Sequence, residues 1–316
     1  MSSASSPVRG ARNSGRLTIS LGTELAVLAL PAMLLALLVS GSAPEPAHAT
    51  NTANTANTAN TANTANTAPA PPALQTLRVC ADPNNMPFSN ERQQGFENRI
   101  ASLIARDLGV PVQYTWWPER RGFVRNTLKA RSCDVVMEVP ASYELTDHTT
   151  PYYRSTYVFV TRADRHLTIK SFDDPALRHV RIGIHMMGDD YANSPAASAL
   201  ARRGLAAQIV PFMIYGDYSR SDPPARLIRA VATDSVDVAV AWGPLAGYFA
   251  KRSPVRLELT PVTPATREFA FSMAMGVRHG DSTTRAVLET ELAQRHADIR
   301  RILEDYGVPL VETSQR

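Results

Sequence analysis

Asp82, Asn84 and Asn85 stand together in the segment Ala81-Asp-Pro-Asn-Asn-Met-Pro-Phe88-Ser89 and offer hard oxygen donors. Such oxygens coordinate cations, as could the adjacent Asp189 and Asp190, but a calcium-type site takes about six to eight ligands, and neither group supplies them within its loop. Asp and Asn cap turns routinely, so turn capping is the better reading. Asp189 and Asp190 also precede a helix and complement its dipole. The seven histidines show no paired metal spacing, and the chain has no His-Glu-x-x-His word, no Gly-x-Ser-x-Gly elbow, no phosphate loop and no Cys-x-x-Cys. No metal, cofactor or catalytic residue is expected, and nothing commends an enzyme. Arg120, Arg121 and Arg125 fall on or just before one helix, where they could dock an acidic partner; a solvated basic face is the more ordinary reading.

Two cysteines, Cys80 and Cys133, remain. An even pair in an oxidising compartment is usually bridged. Each also lies beside an apolar run, so two small buried side chains are an equally good reading.

The elements around these residues alternate. Leu77 to Ala81 is a short apolar run that stops at two prolines, a strand ending in a rigid polar loop. Ile100, Leu103, Ile104 and Leu108 then recur at helical spacing, and Gly109 stands where a left-handed cap belongs. A strand over 110–117 ends in Trp116-Trp117-Pro118, a helix carries Phe123, Val124, Thr127 and Leu128 on one face, and a strand covers 133–139. This β-α-β-α-β order implies parallel, right-handed units, whose ligands bind at the carboxyl ends of the strands. After a strand ending at Arg162 and a charged crossing, the pattern repeats. Strands are expected at 180–184, 209–214 and 236–241, with helices at 196–203 and 225–231. A strand over 269–277 and one long helix from Val287 to Tyr306, stopped by Gly307, complete the chain.

The N-terminus carries Arg9, Arg12 and Arg16, an apolar run of about fifteen residues from Leu25 to Val39, and Ala47-His48-Ala49. These are the parts of a secretory signal peptide over residues 1–49. The run is short for a membrane span and contains Pro31. Residues 50–76, with six Asn-Thr-Ala repeats and a Pro/Ala segment, have almost no apolar surface to offset ordering and read as a disordered linker. Without the leader the chain keeps 30 basic and 27 acidic residues, interspersed, so its pI near 9.2 does not indicate nucleic acid. No membrane span remains after cleavage. About 235 residues are left for the folded body.

Met86-Pro-Phe-Ser89, Gly95-Phe-Glu97, Leu108-Gly109, Cys133-Asp-Val-Val-Met137 and Pro151-Tyr-Tyr153 follow the motif order of type II periplasmic solute-binding proteins. More narrowly, Val79 to Asn85, Tyr114 to Pro118, Arg121 to Leu128, Pro151 to Ser155 and Ala241 to Tyr248 resemble the MxaJ/XoxJ family. Those proteins are encoded with pyrroloquinoline-quinone (PQQ) methanol dehydrogenases. The resemblance implies an α/β, two-lobed periplasmic binding protein-like (type II) fold with a central cleft. Lobe 1 would comprise residues 77–165 plus 265–312, and lobe 2 residues 166–264. It also implies a periplasmic, non-catalytic accessory protein whose partner is a quinoprotein (PQQ) methanol or alcohol dehydrogenase, bound or assisted in assembly or activation. A receptor for a small organic ligand is the alternative, and a small molecule or a peptide segment could occupy the cleft.

The departures from the superfamily matter as much. Amino-acid receptors carry an Arg about nine residues before the Pro-Tyr word and an Asp late in the second half's last strand, which together grip the zwitterion. The corresponding positions here are Ala141 to Glu144 and Trp242. Aromatic residues take their place, and Phe88, Trp117, Tyr143, Tyr152 and Trp242, with Asp82, Asn84, Asn85, Arg121 and Asp189, are the candidate cleft residues. For Phe88, Trp116 and Tyr153 core packing is as good a reading as contact; Trp117 and Trp242 sit at loop edges and lean toward the cleft.

Overall fold

The computed structural model describes residues 74–186, 194–213, 218, 221–264 and 266–312. The expected leader, most of the linker, and Asp189 with Asp190 lie outside them.

In the first half β1 (Leu77–Ala81) is flanked in parallel by β4 (Val112–Trp116) and β5 (Val135–Pro140). Between β1 and β4 come the short paired strands β2 (Asn84–Asn85) and β3 (Ser89–Asn90), then α1 (Phe96–Leu108). Phe96, Ile100 and Ile104 of α1 are buried on the sheet, and Gly109, at φ 67°, takes the left-handed cap that only glycine adopts without cost. The helix expected around Phe123 is a single turn, α2 (Phe123–Asn126). Its side chains explain why. Phe123, Val124 and Leu128 pack around Cys80 and Cys133, which are joined by a disulfide with Cα atoms 5.4 Å apart. Thr127 meanwhile turns its hydroxyl back onto the Phe123 carbonyl at 2.7 Å, so the chain folds back to Cys133 instead of running on.

The second half holds β8 (Ile182–Met186), parallel to β9 (Ile209–Met213) and β10 (Val238–Trp242), with α3 (Pro195–Arg202) and α4 (Ala225–Ala232) as crossovers. Two elements here escape the sequence reading, α5 (Gly243–Lys251) and β11 (Leu257–Pro261). Gly243-Pro244 looks like a stop, yet proline in a first turn starts a helix, because its missing N–H has no partner there anyway.

One strand serves both halves. In β7 (Tyr153–Arg162), residues 153–156 pair with β12 (Ala270–Val277), and residues 157–162 pair with β10 and β11. Strand β12 lies against β5 and receives the short β6 (Asp147–His148). The result is the two-lobed α/β arrangement. The C-terminal stripe is not one helix but two, α6 (Ser282–Gln294) and α7 (His296–Asp305). They break at Arg295 (φ −106°, ψ 15°), whose Nη2 is held by Asp107 of α1 at 2.6 Å. A continuous apolar core runs from Phe96, Ile100 and Leu303 to Leu227, Val231 and Leu245, across the two halves. Behind α7 the backbones of Gly307 and of Gly247 in α5 touch: a Cβ on Gly247 would lie 1.8 Å from the Gly307 carbonyl oxygen. No helix among the described residues is long and apolar enough to cross a membrane.

Candidate binding cleft

Three parallel strands deliver acids to one edge. β1 runs into Asp82, β4 into Trp117 and then Glu119, and β5 carries Glu138, while the first turn of α1 contributes Glu97. Asp82 is 2 % exposed and caps its loop: Oδ1 accepts from the Asn84 N–H at 2.7 Å and Oδ2 from the Glu119 N–H at 2.6 Å. Oδ2 also accepts from the Tyr218 hydroxyl of the opposite lobe at 3.1 Å. The Glu119 carboxylate receives Asn85 Nδ2 at 2.8 Å, and Glu138 receives the Tyr153 hydroxyl at 2.5 Å, with the Trp242 side chain near enough to favour its charge.

Burial dominates the electrostatics. It pushes Glu119 up to about 8, helped by the charges of Asp82 and Glu138, and Glu138 up to about 7. Glu97 is driven well above the carboxylate range by burial and then by Glu138, Glu119 and Asp82. Burial also raises Asp82, against the hydrogen bonds that favour its charge. No ion pair to any of the four forms among the described residues. Asn85 is 2 % exposed, and its Oδ1 has no donor among the described residues.

The sequence-predicted residues divide. Asp82 and Asn85 join this acid group, Trp242 lies beside Glu138, and Tyr143, half-buried against the disulfide cluster, feels the charge of Glu119. Asn84 forms the Asx turn on Asp82. Trp117 is 40 % exposed, with its backbone N–H on the Ala81 carbonyl at 2.9 Å. Trp242 packs edge-on to Phe271 and near Tyr157. Phe88 and Tyr152 lie in the core: Phe88 stacks edge-on to Phe96, and the Tyr152 hydroxyl donates to the Met137 carbonyl at 2.9 Å. Arg121 is exposed just before α2, and Asp189 is outside the described residues. A separate cavity of about 720 Å³, lined among others by Tyr153, Arg154, His296 and Arg300, contains none of the four acids.

Glu97, Glu119 and Glu138 are absent from the sequence-predicted set. Glu138 carries the one available signal, a carboxylate inside the otherwise apolar run Val135-Val-Met-Glu-Val139.

Residues 77–309 match the bacterial extracellular solute-binding proteins, family 3. The chain belongs to that family. Within it, the chain is 33% identical to protein MoxJ of Methylorubrum extorquens over 76% of this chain and 83% of that protein. It is 28% identical to protein MoxJ of Paracoccus denitrificans over 75% of this chain and 90% of that one. The crystal structure of the periplasmic binding protein XoxJ from Methylobacterium extorquens AM1 superposes with a TM-score of 0.63 at 36% identity, covering 75% of this chain and all of XoxJ. The family-3 chain is thus one of the MoxJ/XoxJ group.

Proposed function

We propose that this family member is a non-catalytic periplasmic accessory protein of a PQQ-dependent methanol or alcohol dehydrogenase system. It binds the dehydrogenase, or an unfinished form of it, in the cleft during assembly or activation. The observation that carries this reading is Trp242. Where amino-acid receptors of the superfamily place the ammonium-binding Asp, this chain puts an indole, packed against Tyr157 and Phe271 and lying beside Glu138. The carboxylate-binding Arg is likewise replaced, by the segment 141–144. A free amino acid would leave its carboxylate without a cationic partner in such a cleft, which is costly. Resemblance to MxaJ/XoxJ proteins supplies the partner, and the family supports export to the periplasm. In this reading the lobes hinge within β7, between its β12-paired and β10-paired stretches.

Capture from periplasm tests it. The tagged protein should retain a quinoprotein dehydrogenase, and Trp117→Ala, which trims an exposed ring without touching the core, should reduce that retention. Capture of no dehydrogenase, together with a small molecule that raises the thermal midpoint, would favour a solute receptor instead. The enclosed acids lend that second reading its support.

A further inference from the structure

The acids at the strand ends have a feature that loop capping does not explain. Asp82 is occupied by backbone N–H groups, but Glu97, Glu119 and Glu138 are gathered near it without an ion pair among the described residues. Gathering like charges out of water opposes folding, so such a group persists where it serves something else. Two of the three are not sealed away: Glu119 and Glu138 keep part of their surface accessible.

Asn85 adds an independent sign. The residue is 2 % exposed, its Nδ2 is spent on Glu119, and its Oδ1, on the same planar group and therefore beside that carboxylate, has no donor among the described residues. A buried acceptor without a donor is expensive, and a ligand N–H would satisfy it. Aromatic rings stand at the same place: Trp242 on Glu138, Tyr153 on Glu138 and Tyr143 close to Glu119.

We propose that this carboxylate floor is a subsite for an organic cation, a protonated amine or a guanidinium, whose N–H groups are received by Glu119, Glu138 and Asn85 Oδ1. A metal ion fits less well. Hard cations need several oxygens converging on one point, and no group of three or more His, Cys, Asp or Glu among the described residues is placed to do this. An organic cation spreads its donors over several ångströms and presents a face to aromatic rings. The cation can be a free solute or a basic side chain of a docked protein. The proposal rests on this cleft being a binding site, and not on the identity of the partner.

Isothermal titration of the purified protein tests it with two probes. Agmatine, with an ammonium and a guanidinium but no carboxylate, stands for a free solute. Acetyl-Gly-Arg-Gly-amide stands for a protein side chain, and the same peptide with citrulline is its neutral control. At least one cationic probe should bind about tenfold or more tighter than the citrulline peptide, and Glu119→Gln and Glu138→Gln should each weaken it by about tenfold or more. Both variants should keep the wild-type circular dichroism and at least the wild-type thermal midpoint, because each removes a buried acid. Tighter binding of agmatine supports a free solute as the source, and tighter binding of the peptide a partner's side chain. The proposal is overturned if neither cation binds, if citrulline matches arginine, or if the Gln variants bind like the wild type. Dehydrogenase capture without cation binding would overturn this inference alone; cation binding without capture would overturn the accessory reading alone.

Discussion

The Tyr218 hydroxyl donates to Asp82 Oδ2 at 3.1 Å, joining the segment after β9 to the loop after β1 across the cleft. Asp82 already holds two backbone N–H groups, so the carboxylate is fixed before the tyrosine arrives.

Tyr218→Phe removes that bond and keeps the ring. The residue is 39 % exposed, so the usual value of a bond to a charged group shrinks to about 1 kcal/mol, roughly a fivefold change in the ratio of joined to separated lobes. Small-angle scattering should record a larger radius of gyration for the variant. Identical curves would mean the bond does not hold the lobes.

Stability should fall as the pH rises through neutrality. Glu119 and Glu138 are lifted from an ordinary 4.5 to about 8 and about 7, so the folded state keeps protons that the unfolded chain releases. Their contribution is fully present below about 4.5 and is lost as the pH climbs through about 7 to 8. The facing groups are Asp82, Asn85 and Tyr143 for Glu119, Tyr153 and Trp242 for Glu138, with Glu97 buried among these acids. The thermal midpoint should drop by on the order of several degrees between pH 5 and pH 8, and Glu138→Gln should flatten that slope. A wild-type midpoint that rises over this interval would contradict the assignment.

Asp134 behaves in the opposite sense. Burial pushes it up, but hydrogen bonds from Arg78 (Nε to Oδ2, 2.6 Å) and Arg278 (Nη2 to Oδ1, 2.6 Å) outweigh this and hold it below the ordinary carboxylate range. Its contribution is present above the unfolded value near 3.8 and is lost as the pH falls through the lower folded value. Asp134→Asn should cost about 1–3 kcal/mol in urea unfolding at pH 7, with the gap closing in acid. An equal gap at pH 7 and pH 2.5 would count against the pairing.

The Cys80–Cys133 bridge closes a loop with a sequence separation of 53. A loop of that length corresponds to about 4 kcal/mol of denatured-state constraint. Dithiothreitol should lower the thermal midpoint, and Cys80→Ala/Cys133→Ala should reproduce the drop and then ignore the reductant. A midpoint insensitive to both would show that the cluster of Phe123, Val124 and Leu128 suffices without the bond.

Local pattern carried much of the fold into view. The stripe Ile100, Leu103, Ile104, Leu108 with Gly109 behind it fixes the C-terminal end of α1 to the residue, because that end is set by its own cap, while the helix starts four residues earlier, at Phe96. Strand registers and the shared strand β7 come from pairings far apart in sequence, which no local pattern contains. The break at Arg295 is invisible for a similar reason: the apolar spacing continues through it, and Asp107, which holds it, belongs to another helix. The site was legible in pieces. Asp82, Asn85 and Trp242 stood out by type and by the loops they occupy, whereas Glu97 reads as an ordinary first-turn acid and Glu119 as surface. Only the parallel arrangement of β4, β1 and β5 brings their carboxylates to one edge.

At Gly247 and Gly307 two main chains meet with no side chain between them. Lys251 Nζ holds the Asp305 carbonyl at 3.0 Å beside the contact, and Ser155 Oγ in β7 holds the Pro309 carbonyl at 2.6 Å. Mechanically this is a weld: backbone lies on backbone, and the two flanking hydrogen bonds lock α5 and β7 to the chain that leaves α7. A single methyl at Gly247 has no room in that joint and would have to prise the two main chains apart.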